Sequence, residues 1–267
     1  MSNLFHISEN PYRVGMVAGV RERLKRALIR AARAVRGPAP QSSVQFSFDA
    51  ETRVLWDRVR SRTMTSIERV DALRASVEYI HENSIPGDVV ECGVWRGGSV
   101  MAVALTLLRL GELRRLWLFD TFSGMTPPGS ADMDFQGRAA KDLLAEEDPD
   151  KSLIWGKSSL ADVEVGLAET GYPAERIKFI AGPVEKTIPD QAPESIALLR
   201  LDTDWFQSTY HELTHLWPRL VEGGVLIIDD YGYWAGARKA VHQYFSEAGR
   251  RPFLHRIDET ARLVIKK

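Results

Sequence analysis

Five apolar runs, each ending in a polar or glycine-rich turn, constrain this chain more than any other feature. They read "GDVVECGV" (87–94), "RLWLFDTF" (115–122), "RIKFIAG" (176–182), "IALLRLDTD" (196–204) and "GVLIIDDY" (224–231). A strand with one face in water alternates apolar and polar residues. Strands that are apolar throughout are covered on both faces, as in a parallel sheet. Helical stretches fall between them: "GGSVMAVALTLLRLG" (97–111), "STYHELTHLWPRL" (208–220) and "GARKAVHQYFSEAG" (236–249). A further helix precedes the first strand, with Ile67, Val70, Leu73, Val77 and Ile80 at three- and four-residue spacings over 65–83, closed by Pro86-Gly87. This alternation predicts a doubly wound α/β fold. The chain ends in "RPFLHRID" and "ARLVIKK", joined by Glu259-Thr260, too short a link for anything but an antiparallel pair. The expectation is a Rossmann-like sheet of seven strands with one antiparallel strand near its edge.

Charge is uneven along the chain although it balances overall. The formal net charge of the 267 residues is −1, so no global field favours nucleic acid or an anionic membrane. Between Arg13 and Arg36, however, Arg13, Arg21, Arg23, Lys25, Arg26, Arg30, Arg33 and Arg36 face a lone acid, Glu22. Val17, Val20, Leu24, Leu28 and Val35 share roughly one helical face, and Gly37-Pro-Ala-Pro40 ends the helix. Residues 1–45 therefore read as a basic amphipathic helical arm and linker, attached to a domain over 46–267. The arm suits packing on a partner subunit or the core better than binding a membrane surface or RNA. Cys92 is the single cysteine, which excludes an intramolecular disulfide and suits a reducing compartment. No apolar run reaches the ~20 residues of a membrane span, and "MSNLFH" lacks the layout of a secretory signal. The expected location is the cytoplasm.

In a doubly wound sheet ligands bind beyond the carboxyl ends of the strands. Two chemistries meet on that rim. At one end "ECGVWRGGS" places Gly93, Gly97 and Gly98 between a strand and a helix, where a sharp turn lets backbone N–H groups approach a ligand at the helix N-terminus. Asp120 ends the next strand, where an acid can accept both hydroxyls of a ribose. Together they point to an adenosine-type cofactor, with NAD and S-adenosylmethionine (SAM) both open.

At the other end Asp202 and Asp204 close the fourth run, and Asp229 and Asp230 the fifth. If those strands are neighbours, up to four carboxylates converge, and without a counter-charge some must take up protons. A bound Mg2+ or Mn2+ resolves this, since both prefer carboxylate and water oxygens. The competing reading is that one or two of the acids cap helices or meet an arginine. Two other metal motifs overlap the region. His211-Glu212-x-x-His215 matches the zinc-protease H-E-x-x-H, but Thr209-x-x-Glu212 also fits a capping box opening that helix, and no convincing third ligand follows. The D-x-D of Asp202 and Asp204 also occurs in metal-dependent glycosyltransferases, which is the alternative function.

The segments "IPGDVVECGVWRGGSVM", "LWLFDTFSGMTPP", "RIKFIAGPVEKTIP" and "LLRLDTDWFQSTYHELTHLWPRLVEGGVLIIDDYG" together closely resemble the macrocin O-methyltransferase family. The resemblance spans about Thr63 to Lys267 and implies SAM- and Mg2+-dependent methylation of sugar hydroxyls on antibiotics. By that resemblance Glu91, Gly93, Gly97, Gly98 and Ser99 hold the methionine end of SAM. Asp120 binds the ribose, and Gly182, Val184 and Glu185 lie near the adenine. Met64, in "TMTS", touches the cofactor. Asp202, Asp229 and Asp230 are the metal ligands and Asp204 is the general base. Residues 123–158 correspond to a lid over the substrate. The acids on it (Asp132, Asp134, Asp142, Glu146, Glu147, Asp148 and Asp150) read as a solvated face. The required acceptor is a small molecule or glycan bearing a vicinal diol, and the family together with the arm suggests a homodimer or tetramer.

Overall fold

The computed structural model describes residues 48–267; the basic arm lies outside them. The first described helix, α1 (Ala50–Val59), opens on Asp49, whose carboxylate accepts the Thr52 N–H at 2.7 Å. The sequence pattern gave no sign of α1, because a charged segment buries only Thr52, Leu55 and Val59. Helix α2 (Ile67–Glu82) buries the predicted Val70, Leu73, Val77 and Ile80. Strand β1 (Asp88–Cys92), helix α3 (Gly98–Arg109) and strand β2 (Leu116–Asp120) follow.

Residues 123–158 are not merely a polar connection: they contain helix α4 (Ala140–Glu146), which buries Ala140, Leu143 and Leu144. Helix α5 (Leu160–Ala168) then leads to β3 (Ile177–Ala181), and the short α6 (Val184–Thr187) to β4 (Ile196–Leu201). Helix α7 (Phe206–Leu216), β5 (Leu220–Ile228), α8 (Ala235–Glu247), β6 (His255–Arg256) and β7 (Arg262–Ile265) complete the chain. Strand β5 begins earlier than its apolar run. Its pairing with β4 jumps from Ile196–Leu220 to Leu198–Val225, so the Glu222-Gly223-Gly224 turn is absorbed as an irregularity.

The sheet has seven strands in the order β3-β2-β1-β4-β5-β7-β6. Strands β1 to β5 are parallel, and β7 runs antiparallel between β5 and the edge strand β6. Alternate residues feed two cores. Val89, Leu116, Leu118, Leu198, Val225 and Ile227 pack with α1, α2, α3 and α5. Val90, Cys92, Phe119, Leu199, Leu226 and Ile228 pack on the other face with α7 and α8. The continuous apolar runs are thus explained: each strand is covered on both faces.

The order reverses at β1, which lies between β2 and β4, and a crevice opens there at the strand ends. Gly93, at φ +82°, allows the β1 and β4 ends to close on each other, because a Cβ there would fall 2.0 Å from the Asp202 carbonyl oxygen. We predict that Gly93→Ala costs at least ~2 kcal/mol of stability, through both backbone strain and displacement of the Asp202 backbone. Chemical denaturation would measure this. A change within a few tenths of a kcal/mol would show that the two strand ends can separate freely.

Candidate active site

The floor of the crevice is a buried ion pair set by strand register. Glu91 on β1 lies beside Arg200 on β4, and both side chains are 4% exposed. Arg200 Nη1 donates to Glu91 Oε1 at 2.6 Å. Burial pushes the Glu91 carboxyl up to about 8 against the pull of Arg200. Two ionisable side chains therefore interrupt runs that otherwise read as purely apolar, and each is tolerated because it is hydrogen-bonded to the other.

Arg200 also reaches the acids above it. Its Nη2 lies 2.7 Å from Asp202 Oδ2 and 2.9 Å from Asp229 Oδ1, close enough for charge attraction but outside hydrogen-bonding directions. A second guanidinium approaches from α2: Arg69 pairs with Asp229 through Nη1 and with Asp258 through Nε at 2.7 Å. It also meets the Thr260 hydroxyl. Asp258 further accepts the Ser66 hydroxyl at 2.9 Å and the N–H groups of Thr260 and Ala261. The C-terminal hairpin turn is therefore tied through Arg69 to the crevice. Neither arginine belongs to a sequence motif of the site. The signal for Arg200 was visible, as a lone charge inside an apolar strand, whereas nothing in the pattern around Arg69 marks it.

Asp202, Asp229 and Asp230 each offer a carboxylate oxygen within 4.8 Å of the others. Asp204 lies outside that trio, on the wall of the same cavity. Burial raises the Asp202 and Asp230 carboxyls well above the ordinary range, reinforced by their acidic neighbours. The Asp204 carboxyl rises to about 7 by burial and by the charge on Asp202, opposed by hydrogen bonds with Asp230 and Trp234.

The cavity encloses about 430 Å3, a volume suited to a small-molecule ligand. Met64, Gly93, Ser99, Asp120, Gly182, Val184 and Glu185 line it together with Asp202, Asp204, Asp229 and Asp230. Glu91, Gly97 and Gly98 are not on its wall. Glu91 lies beneath it against Arg200, and Gly98 lets α3 start against the Arg62 backbone, whose carbonyl oxygen would be 2.5 Å from an added Cβ. Asp120 organises the adjoining turns. One oxygen accepts the Val94 and Trp95 N–H groups at 2.6 and 3.0 Å, and the other accepts that of Phe122 at 2.7 Å.

The segment 123–158 has its own apolar cluster, in which Leu143, Leu144, Met125, Ile154 and Trp155 pack with Trp205 and Trp234. The acids on this segment are not all solvated. Asp132 and Asp134 are 1% and 2% exposed. Asp132 accepts the N–H of Phe206, the first residue of α7, at 2.7 Å, and so caps a helix remote in sequence. Asp134 takes the N–H groups of Gln136 and Arg138. Asp142, Glu146, Glu147, Asp148 and Asp150 are exposed, as expected. The capping box at Thr209 is overturned, because α7 begins earlier, at Phe206, leaving Thr209 and Glu212 inside the helix. The zinc motif does not assemble either: His211 Nε2 is engaged by the Ile188 carbonyl at 2.9 Å, and Glu212 is fully buried.

Comparison with known proteins identifies the framework that carries this cavity. The macrocin-O-methyltransferase (TylF) family profile matches residues 18–266. The chain belongs to this family. It is 35% identical over 220 residues to the 8-demethyl-8-(2,3-dimethoxy-alpha-L-rhamnosyl)-tetracenomycin-C 4'-O-methyltransferase of Streptomyces olivaceus, covering 79% of each protein. It is 34% identical over 191 residues to the mycinamicin III 3''-O-methyltransferase of Micromonospora griseorubida, covering 71% of this chain and 72% of that one. Among solved structures, the O-methyltransferase NovP aligns with a TM-score of 0.67 at 28% identity, over 77% of this chain and 82% of its own. The chain is accordingly an O-methyltransferase on a Rossmann-like fold.

The donor set of this methyltransferase fits a divalent cation. Five carboxyls (Glu91, Asp202, Asp204, Asp229 and Asp230) crowd around two guanidiniums, and Arg69 is shared with Asp258 as well. Asp229 Oδ1 and Asp230 Oδ2 are buried without hydrogen-bond donors. Hard oxygen donors left in this state suit Mg2+ or Mn2+.

The anchor at Asp258 has a pH signature. Its carboxyl is held down at about 2, from an ordinary value of 3.8, by the Ala261 N–H and by Arg69, against the opposing effect of burial. A folded-state value below the unfolded one stabilises the protein above pH ~4, and that stability drains away as the pH falls toward 2. We predict that Asp258→Asn removes about 1–2 kcal/mol at neutral pH, allowing for solvent screening, and flattens the stability profile between pH 4 and 2. Denaturant titrations across that range test this; parallel acid limbs for the two proteins would remove Asp258 from the account.

Proposed function

We propose that this methyltransferase transfers the methyl group of SAM to one hydroxyl of a vicinal diol, on a sugar of a natural product or glycan, with Mg2+ or Mn2+ held by Asp202, Asp229 and Asp230. The observation that carries this reading is the convergence of those three carboxylates beside Asp204, in the cavity that Gly93, Ser99 and Asp120 also line. The Streptomyces olivaceus relative is named for a rhamnosyl-bearing tetracenomycin, which supports a sugar as the acceptor.

SAM supplies an already activated methyl group, and a divalent cation would lower the pKa of a neighbouring hydroxyl and orient the diol. The chain's own residues account for the remaining tasks. Gly93, Ser99 and Met64 line the place for the methionine end, Asp120 that for the ribose, and Gly182, Val184 and Glu185 that for the adenine. Asp204 takes the hydroxyl proton once acceptor and cofactor are in line. Trp234, 4% exposed, shares the wall with Asp204 and helps keep water from the reacting atoms. The D-x-D alternative, a glycosyltransferase, would put Asp202 and Asp204 on one ion, but the carboxylates that converge with Asp202 come from the end of β5.

We predict that Asp202→Ala reduces turnover by at least ~10³-fold while calorimetry still detects SAM binding. Chelation by EDTA should abolish activity and Mg2+ should restore it; full activity after chelation would contradict the metal role. Asp204→Asn should lower kcat by ~10²–10⁴-fold and leave metal affinity in place. Unchanged turnover in that variant would remove Asp204 as the base.

A further inference from the structure

Asp204 sits in an unfavourable backbone conformation. Its φ is +66°, and the Trp205 N–H donates to the Thr203 carbonyl at 2.7 Å across it. A three-residue turn with positive φ at its centre is the rare, strained form of the γ-turn. A non-glycine residue stays there only when its surroundings over-determine it.

The restraints on either side of the turn are visible. After it, the Trp205 side chain is 2% exposed, packs edge-on to Trp234 at 4.9 Å, and donates its Nε1–H to the Thr126 carbonyl at 2.8 Å. Before it, the Thr203 hydroxyl donates to Glu212 Oε1 at 2.9 Å, and the Ser208 hydroxyl reaches the Thr203 carbonyl at 3.2 Å. Glu212 is completely buried in the middle of α7, and its other oxygen has no hydrogen-bond donor. Nothing in the methyl transfer described above uses this acid. An unsatisfied buried carboxyl is costly, and a leucine would fill the same helical position more favourably, yet Glu212 makes a bond to the residue between Asp202 and Asp204.

We propose that Glu212 is a positioning residue: through the Thr203 hydroxyl it holds the strained turn that aims Asp204 at the acceptor. The acid of the apparent zinc motif thus serves the neighbouring loop, with no metal of its own. The inference rests on the reading of Asp204 as the base, and it requires Glu212 and Thr203 to act through Asp204 alone.

A double-mutant cycle tests it on the full chain. Thr203→Val keeps the side-chain shape and removes the donor. It should lower kcat on the order of 10- to 100-fold, as expected when a reacting group is displaced by about an ångström, while KM for SAM and binding of S-adenosylhomocysteine stay as in wild type. Thr203→Ser, which keeps the hydroxyl, should restore most of the rate, and Glu212→Gln, which keeps an acceptor oxygen, should lie within a few-fold of wild type. In an Asp204→Asn background, Thr203→Val should cost nothing more, because the group it positions is already gone. A wild-type kcat for Thr203→Val overturns the proposal. So does an equal loss in the Asp204→Asn background, which would mean general damage. If Asp204→Asn alone keeps full turnover, the base assignment itself has failed, a result distinct from either.

Discussion

A guanidinium buried among carboxylates fixes the geometry of this site. Arg200 occupies a position on β4 where the neighbouring strand residues are apolar, and β1 brings Glu91 beside it in register. Isolated, either charge would cost several kcal/mol to bury. Paired, they lock the relative register of the two strands at the point where the sheet order reverses. The same guanidinium lies under Asp202 and Asp229, so the acids that close β4 and β5 share one counter-charge. Arg69 supplies a second from α2 and joins the C-terminal hairpin to the arrangement. The carboxylates still outnumber the arginines, and that imbalance leaves room for a dication.

Strain is placed around the same cavity. Trp95, Phe122 and Asp204 all adopt positive φ, although none is glycine. The Asp120 carboxylate accepts the Trp95 and Phe122 N–H groups, while buried hydrogen bonds flank Asp204. Such conformations persist where packing and hydrogen bonds outweigh their cost of about 1–3 kcal/mol each. The rigid sheet below and the apolar cluster of residues 123–158 above provide that support. Preorganised groups need little rearrangement at the moment of reaction.

The sheet was legible in the sequence because strands covered on both faces leave unbroken apolar runs, and the short link at Glu259-Thr260 revealed the antiparallel pair. The convergence of acids was legible because Asp202, Asp204, Asp229 and Asp230 end two of those runs, and the family resemblance set Asp204 apart from the other three. What escaped had weaker local signals. Helix α1 shows a narrow buried stripe in a charged segment. Asp132 caps a helix 74 positions away, a relation no local pattern encodes. Thr209 and Glu212 fit a capping box by spacing, but α7 starts one turn earlier, since its end is closed by Asp132 and not by its own residues. The pairing of Glu91, assigned to the cofactor by family resemblance, was also unmarked: under the floor of the cavity, register sets it beside Arg200.

We propose that the excess of buried carboxylate at the ends of β4 and β5 is matched by a divalent cation. Titration calorimetry of metal-stripped protein with Mn2+, without SAM or acceptor, reads this out. The expected result is saturable binding by the wild-type chain that is lost in Asp230→Asn, with the folded state of the variant verified by circular dichroism. Equal Mn2+ affinity in the two proteins, or no binding by the wild type, would contradict it.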